Sequence, residues 1–305
     1  MPFYADKIWF DGEFVAWNDA KIHVLSHVIH YGSGAFEGLR AYENKNGTAV
    51  FRMHDHTKRL LDSCKIYRFG LKLSDEQINQ AILDTIRINR LKSAYIRPLV
   101  FRGYSQLGVN PFNCPVQMII AAWDWGKYLG DEALEKGISV CISSWQRVAP
   151  NTFPALAKVS GNYMNSQLIK MEAIENGYDE GIALDANGFI SEGSGENVFM
   201  VKNGVIFTPP SNCSILAGIT RHCVFILARD LGLTVKQHVL PRESLYIADE
   251  VFLTGTAAEI TPVTKIDKIS VSGGRRGPIT EKIQKAFFSI ITGESPDKNN
   301  WLSYI

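Results

Sequence analysis

Apolar and polar positions alternate with a period of two near the start of the chain. Ile8-Trp9-Phe10, the turn pair Asp11-Gly12 and Phe14-Val15-Ala16-Trp17 predict a β-hairpin. Further on the period lengthens. Across residues 56–67, Leu60, Leu61 and Cys64 make an apolar stripe that predicts a helix. A second helix is expected to open at Ser74, with Gln77 completing a capping box and Ile78, Ile82, Leu83 and Ile86 recurring at helical spacing. Residues 94–101 and 116–122 read as strands, and the alternation over 21–26 reads as another.

From residue 124 to 137 the apolar runs stop, and glycines and acidic residues take over. This stretch is expected to connect two domains, 1–123 and 138–305. Beyond it, residues 138–143 read as a strand and 163–176 as a helix stopped by Gly177. Asn187-Gly188 and Asn203-Gly204 mark tight turns between apolar runs. A helix over 221–231 stops at Gly232, a strand follows at 250–254, and a last helix covers 281–291. No internal repeat or low-complexity segment occurs. The fold class this implies is α+β in two domains, with mostly antiparallel strands in the hairpin regions.

Composition narrows the class of protein. Hydrophobic residues make up 46% and charged residues 21%, and 32 Lys and Arg nearly balance 31 Asp and Glu. That balance argues against a basic nucleic-acid surface and favours small molecules or further copies of the chain as partners. The five cysteines form no CxxC pair, which suits a reducing compartment better than a disulfide framework. With no signal-peptide pattern at the start and no long apolar run, a cytoplasmic location is the expectation.

Candidate chemistry centres on Lys158. It stands in Pro154-Ala155-Leu156-Ala157-Lys158-Val159-Ser160-Gly161-Asn162-Tyr163, among small and apolar side chains. Desolvation disfavours the ammonium form, and a lysine freed of its proton can form a Schiff base. The plainer alternative is a lysine at a strand end that reaches out to water. Glu192, between a turn and Gly193-Ser194-Gly195, is placed to approach a ligand, or else is a solvated loop acid. Leu216-Ala217-Gly218-Ile219-Thr220-Arg221 runs into an amphipathic helix, where Thr220 is expected to cap and to donate to an anion. Thr254-Gly255-Thr256-Ala257-Ala258 offers hydroxyls and amides after a strand. An amine, an acid and two anion cradles match the needs of pyridoxal 5'-phosphate. His23, His27 and His30 have helical metal-ligand spacing. The strand-like alternation and the lack of a nearby carboxylate favour structural histidines instead, and no metal is expected.

In these motifs the chain resembles the class IV, or fold-type IV, aminotransferases, most of all the branched-chain amino acid group. The carrying stretches are His30-Tyr31-Gly32-Ser33-Gly34-Ala35-Phe36-Glu37-Gly38, Tyr95-Ile96-Arg97-Pro98 and Ala157-Lys158 with Gly161-Asn162-Tyr163. Residues 190–197, 217–221 and 255–262 complete the set, so that the likeness covers essentially the whole chain. It implies a small N-terminal domain, a larger C-terminal domain and pyridoxal phosphate held between them. It further implies reversible amino transfer between leucine, isoleucine or valine and 2-oxoglutarate. D-amino acid aminotransferases and aminodeoxychorismate lyases share the lysine and the acid, but the contexts of Gly38 and Arg97 favour the branched-chain group. A non-catalytic binding protein on the same fold is disfavoured by Lys158, Glu192 and Tyr163 standing together.

The same resemblance assigns roles. Lys158 would hold the cofactor covalently and shuttle a proton. Glu192 would keep the ring nitrogen protonated, and Tyr163 would hydrogen-bond the ring's phenolate oxygen. Arg59, Leu216, Gly218, Ile219, Thr220 and Thr256 would bind phosphate; Ala217 stands where a proline or larger residue is usual. Phe36, Gly38, Trp125, Tyr128 and Tyr163 would shape the side-chain pocket. Tyr95 with the amides of Ala257 and Ala258 would take the α-carboxylate, and Arg97 the second carboxylate of glutamate. Tyr31, Leu107 and Val109 would come from a neighbouring subunit, making the active unit a homodimer or a trimer of dimers.

Overall fold

The computed structural model describes residues 4–125 and 132–305. The chain divides into two compact units, one of residues 1–126, 157–161 and 290–305, the other of 127–156 and 162–289. The division is therefore interleaved. Residues 157–161 and 290–305 return to the first unit, whereas the sequence suggested one cut near 124–137. Within that connection, residues Ala133–Lys136 form a short helix.

The first unit is built on β1 (Lys7–Phe10), β2 (Glu13–Ala16), β3 (Gly34–Phe36), β4 (Leu39–Asn44), β5 (Gly47–Phe51), β6 (Ala94–Arg102) and β7 (Val116–Trp123). The strand Leu302–Tyr304 completes it, in the order Leu302–Tyr304, β5, β4, β6, β7, β1, β2, with β3 also on β6. Every pairing in this sheet is antiparallel. Of its helices, α1 (His27–Tyr31) is short, while α2 (Met53–Ile66) and α3 (Asp75–Ile88) run fourteen residues each. The capping box expected at Ser74 is present, with Ser74 Oγ accepting from Gln77 N and Gln77 Oε1 accepting from Ser74 N. Leu60, Ile78, Ile82 and Ile86 bury their apolar faces in the core with Leu39, Val50, Ile96 and Ile120. Residues 21–26, expected to be a strand, form none. Only Ser26 makes a single bridge, to Tyr104, because no neighbouring strand edge is offered to the rest.

The second unit carries α4 (Ala133–Lys136), β8 (Ile138–Ile142), α5 (Tyr163–Glu175), β9 (Glu180–Leu184), β10 (Ile190–Gly193), β11 (Asn197–Lys202) and β12 (Val205–Thr208). It continues with α6 (Ile219–Asp230), β13 (Thr234–Gln237), β14 (Glu250–Gly255), β15 (Glu259–Ile266), β16 (Ile269–Ser270) and α7 (Pro278–Ile291), the last residues of α7 belonging to the first unit. Its sheet runs β10, β9, β8, β15, β14, β11, β12, β13, and a further pairing of β10 with β11 closes six of these strands into a ring. That closing pairing is Glu192 opposite Asn197. Both turns marked by Asn-Gly join antiparallel neighbours, β9 to β10 and β11 to β12. Three pairings are parallel: β8 with β9, β8 with β15 and β12 with β13. Ile138, Val140, Ile182, Ile190, Val198, Leu253 and Val263 form this unit's core.

Candidate active site

Lys158 belongs to the first unit, where the short return of chain carries it against β3. Its backbone is fixed on both sides. Lys158 N donates to Ser63 Oγ at 3.0 Å, and Phe36 N donates to Lys158 O at 3.0 Å. The buried Ala157 and Val159 flank it, and Val159 bridges to Ala35. The apolar neighbours seen in the sequence thus serve as anchors, and they leave the side chain half-buried. Its Nζ lies 5.0 Å from the centre of the Phe36 ring, a contact between cation and aromatic face.

One residue beyond Phe36, Glu37 is fully buried. Its carboxylate takes two hydrogen bonds from Arg59, Nε at 2.6 Å and Nη2 at 2.8 Å, and lies 2.7 Å from His56 Nδ1. Burial alone would raise the Glu37 carboxyl, but the charges and hydrogen bonds of Arg59 and His56 overturn this and hold it well below the usual carboxylate range. The His56 ring is lowered too, but there burial is the cause. Burial lowers it below the usual histidine value, against the pull of Glu37 and with help from the charges of Arg59 and Lys158. Arg59, expected at the phosphate, is thus gripped edge-on by Glu37. The Ser63 hydroxyl that receives Lys158 also donates to Arg59 O at 2.9 Å, so Arg59 and the lysine share one support on α2.

The same unit collects the substrate-pocket candidates. Arg97 Cζ lies 4.8 Å from the Phe36 ring centre and 5.3 Å from that of Tyr95, and Arg97 Nη2 donates to the Tyr95 hydroxyl at 3.0 Å. Strand alternation put Tyr95 and Arg97 on one face, and they meet there. Arg97 Nε is buried with no hydrogen-bond partner among the described residues. Trp125 meets Tyr95 edge-on at 4.5 Å, and Trp123, which the motifs did not single out, lies 5.3 Å from Tyr95. Gly38 has a plain reason to be glycine: a Cβ there would collide with the Tyr95 hydroxyl. Tyr128 lies outside the described residues.

In the second unit Glu192 is a buried strand residue, neither on a loop nor solvated. β10 has a neighbour on each side, β9 and β11, so Glu192 lies inside the sheet. Arg147 Nη2 lies 3.0 Å from Glu192 Oε1, the two side chains being 6% and 7% exposed. Oε2 accepts from Asn197 Nδ2 and from Leu216 N, each at 3.0 Å. Leu216 was expected at the phosphate, but its amide is taken by Glu192 and its carbonyl by Asn197. Gly218 permits this packing, because a Cβ there would strike Asn197 Oδ1. Arg147 and Asn197 escaped sequence reasoning. Asn197 closed a quoted motif without a role, and Arg147 carries no local signal.

Helix α6 opens with Gly218, not Thr220, at its N-cap, and no side chain caps it. The helix begins two residues earlier than expected, which puts Thr220 in the first turn. The N-terminus of this twelve-residue helix still presents amides suited to an anion. Thr256, Ala257 and Ala258 form the turn between β14 and β15, braced by a Thr261 Oγ1 hydrogen bond to Ala258 O at 2.7 Å. Tyr163 opens α5. Of the expected neighbour-subunit residues, Tyr31, Leu107 and Val109 are all exposed, Val109 by 88%. His27 is buried and bonded to Ser33 Oγ and Gly108 O, while His30 reaches Val24 O.

Each unit supplies donors of the kind pyridoxal phosphate needs: the first a fixed, half-buried amine at Lys158, the second a buried acid at Glu192, the N-terminus of α6 and the braced turn at 256–258. No helix among the described residues is long and apolar enough to cross a membrane. Residues 34–266 match the family model for amino-transferase class IV. The chain belongs to the class IV aminotransferases. It is 56% identical over 302 residues to the branched-chain-amino-acid aminotransferase of Escherichia coli (strain K12), covering 99% of this chain and 98% of that protein. The crystal structure of an Escherichia coli branched-chain amino acid aminotransferase superposes with a TM-score of 0.97 at 56% identity, over 98% of this chain and 99% of that one. The T.th. branched-chain amino acid aminotransferase, complexed with N-(5'-phosphopyridoxyl)-L-glutamate, gives 0.95 at 44% identity, over 99% of both chains.

Proposed function

We propose that this chain is a branched-chain-amino-acid transaminase that uses pyridoxal 5'-phosphate and passes the amino group of leucine, isoleucine or valine to 2-oxoglutarate. The observation that carries the reading is identity of 56% across 99% of the chain to an enzyme of that name. Bound pyridoxal phosphate supplies an aldehyde to carry the amino group and a ring to take up the electron pair left at Cα. The chain's residues do the rest. Lys158 Nζ holds the cofactor and moves the proton off and onto substrate Cα. Glu192 holds a proton at the ring nitrogen, and Tyr163 bonds the phenolate oxygen. Arg59, Ile219, Thr220 and Thr256 bind phosphate, with Gly218 allowing close approach, and Leu216 supports Glu192.

Two carboxylates and one apolar side chain must be served in turn. Tyr95 with the amides of Ala257 and Ala258 binds the α-carboxylate. Phe36, Trp125 and Tyr128 face aliphatic side chains. Arg97, charged and already stacked on aromatic faces, meets the second carboxylate of glutamate, whose desolvation would otherwise be costly. Tyr31, Leu107 and Val109 complete a neighbour's pocket in a homodimer, or in a trimer of dimers, in the cytoplasm. Light scattering of the purified protein checks the assembly, and a single monomer peak would remove that part.

The decisive experiment is an absorption spectrum before and after L-leucine, with detection of the branched 2-oxo acid. Bleaching of the visible-edge band with release of the oxo acid is expected. A cofactor band that leucine leaves untouched would sink the substrate assignment.

A further inference from the structure

Arg147 is buried, contributes to no motif, and bonds in two directions at once. Its Nη2 reaches Glu192 Oε1 at 3.0 Å. Its Nη1 reaches Asn165 Oδ1 at 3.0 Å and Ser166 Oγ at 3.4 Å, both in the first turn of α5, which opens at Tyr163. Its own backbone is held as well, Arg147 N donating to Leu184 O at 2.8 Å. One guanidinium thus ties the turn that carries Tyr163 to the carboxylate of Glu192. We infer that Arg147 is the positioning residue of this site, holding Glu192 as an aligned anion and Tyr163 in register with it.

Asn197 and Leu216 N both bond Oε2, so they fix one oxygen and leave the carboxylate plane to be set by whatever holds Oε1. Arg147 is that holder, and arginine keeps its charge under all ordinary conditions. With both side chains under a tenth exposed, water cannot replace it. Without Arg147 the buried carboxylate would lose this opposite charge at Oε1, and it would turn away or take up a proton more readily. A protonated Glu192 can no longer hold a proton at a ring nitrogen. The bonds to Asn165 and Ser166 add the second half: they fix α5 at its first turn, where a shift would carry the Tyr163 hydroxyl away from the phenolate oxygen it would bond.

The inference rests on the proposed role of Glu192, and the experiment separates the two. Arg147→Met, Arg147→Lys, Glu192→Gln and the double variant Arg147→Met/Glu192→Gln are loaded with nitrogen-15-labelled pyridoxal phosphate. Turnover with leucine and the ring-nitrogen chemical shift are then measured on each. Arg147→Met should lower kcat by about 10–100-fold, the scale usual for a residue that orients a ligand's direct partner. Its ring-nitrogen signal should move toward that of unprotonated pyridine. Arg147→Lys should recover part of both, since the charge remains while a bond to α5 is lost. The double variant should turn over no more slowly than Glu192→Gln alone. Should Arg147→Met misfold, Arg147→Lys and the double variant, which leaves no buried unpaired charge, carry the test.

An Arg147→Met protein with the wild-type nitrogen signal and kcat, beside an impaired Glu192→Gln, would overturn the inference alone. Loss of kcat with the nitrogen signal unmoved would reduce Arg147 to structural support. A silent Glu192→Gln would instead sink the role of Glu192, and Arg147 with it.

Discussion

Two buried arginine–carboxylate pairs, one in each unit, show the same physics put to opposite uses. In the first unit Glu37 grips Arg59 through two hydrogen bonds, with His56 beside it. There the carboxylate is the support and the arginine is the member proposed to meet a ligand. In the second unit Arg147 grips Glu192, and Asn197 and Leu216 N also bond its carboxylate. Here the arginine is the support and the carboxylate is the member proposed to meet a ligand. A buried ion pair adds little net stability against well-packed apolar residues, yet removing one member costs about 3–5 kcal/mol. The pairs are therefore better understood as devices for aiming a charge than as fasteners.

The largest effect tests the group that both pairs are proposed to serve. Lys158→Ala should lose nearly all turnover, since the acid–base part of its work alone is worth about 10²–10⁴-fold. Borohydride reduction and peptide mapping should label Lys158, and label on another lysine would contradict the assignment.

The next comparison sets the two carboxylates against each other. Glu192→Gln should cut kcat by about 10²-fold or more, the scale of one lost preorganised interaction, with cofactor content largely kept. Glu37→Gln should show its main effect in stability, about 3–5 kcal/mol at most by denaturant unfolding, because Arg59, only 13% exposed, loses this counter-charge. If the two variants showed the same balance of stability and kcat loss, the contrast between support and ligand-facing acid would fail.

Half of each pair was legible in the sequence. Glu192 was singled out because a motif carries it, and Arg59 because the resemblance implies it; Glu37 stood in a quoted motif without a role, and Arg147 was passed over, although each lies within hydrogen-bond reach of its partner. The reason is the distance along the chain: Glu37 is 22 residues from Arg59, and no local period links such positions. The longer helices, the hairpin and both Asn-Gly turns were readable, since their signals lie within a few residues, whereas the short α1 and α4 were not. The strand 21–26 was misread because alternation describes a strand's faces but not whether an edge is there to pair with. The interleaved division of the chain likewise rests on contacts of long range.

Arg97→Ala sharpens the contrast with a third arginine, one that no carboxylate in the described residues grips. Its effect should fall on glutamate and 2-oxoglutarate, by about 2–5 kcal/mol if the charge pair it forms is buried, and much less on leucine. Single-turnover spectra with each amino acid measure both. Equal losses would mean that Arg97 supports the fold or binds the α-carboxylate.

The smallest effect concerns Glu196, a buried acid that no arginine among the described residues grips. Burial and the nearby charge of Glu180 push its carboxyl up to about 8, against a hydrogen bond from Gly195 N and the charge of Lys170. The folded protein then keeps a proton that the unfolded chain releases near the ordinary value of 4.5. Stability from this group is full below about 4.5 and is lost as pH rises through about 8. Glu196→Gln removes that dependence. Its melting temperature relative to wild type should rise across this window and level off above it. A difference that stays flat with pH would show that Glu196 is not protonated in the fold.

The strand Leu302–Tyr304 closes the edge of the first sheet at β5, with Trp301 buried edge-on against Phe51. During synthesis, then, the N-terminal sheet stays one strand short until the ribosome has passed Tyr304. The nascent chain carries an open β-edge at Gly47–Phe51 throughout translation of the second unit, the kind of edge that recruits foreign strands. Arrival of this strand is what retires that hazard, so a product truncated before Leu302 should be prone to aggregate.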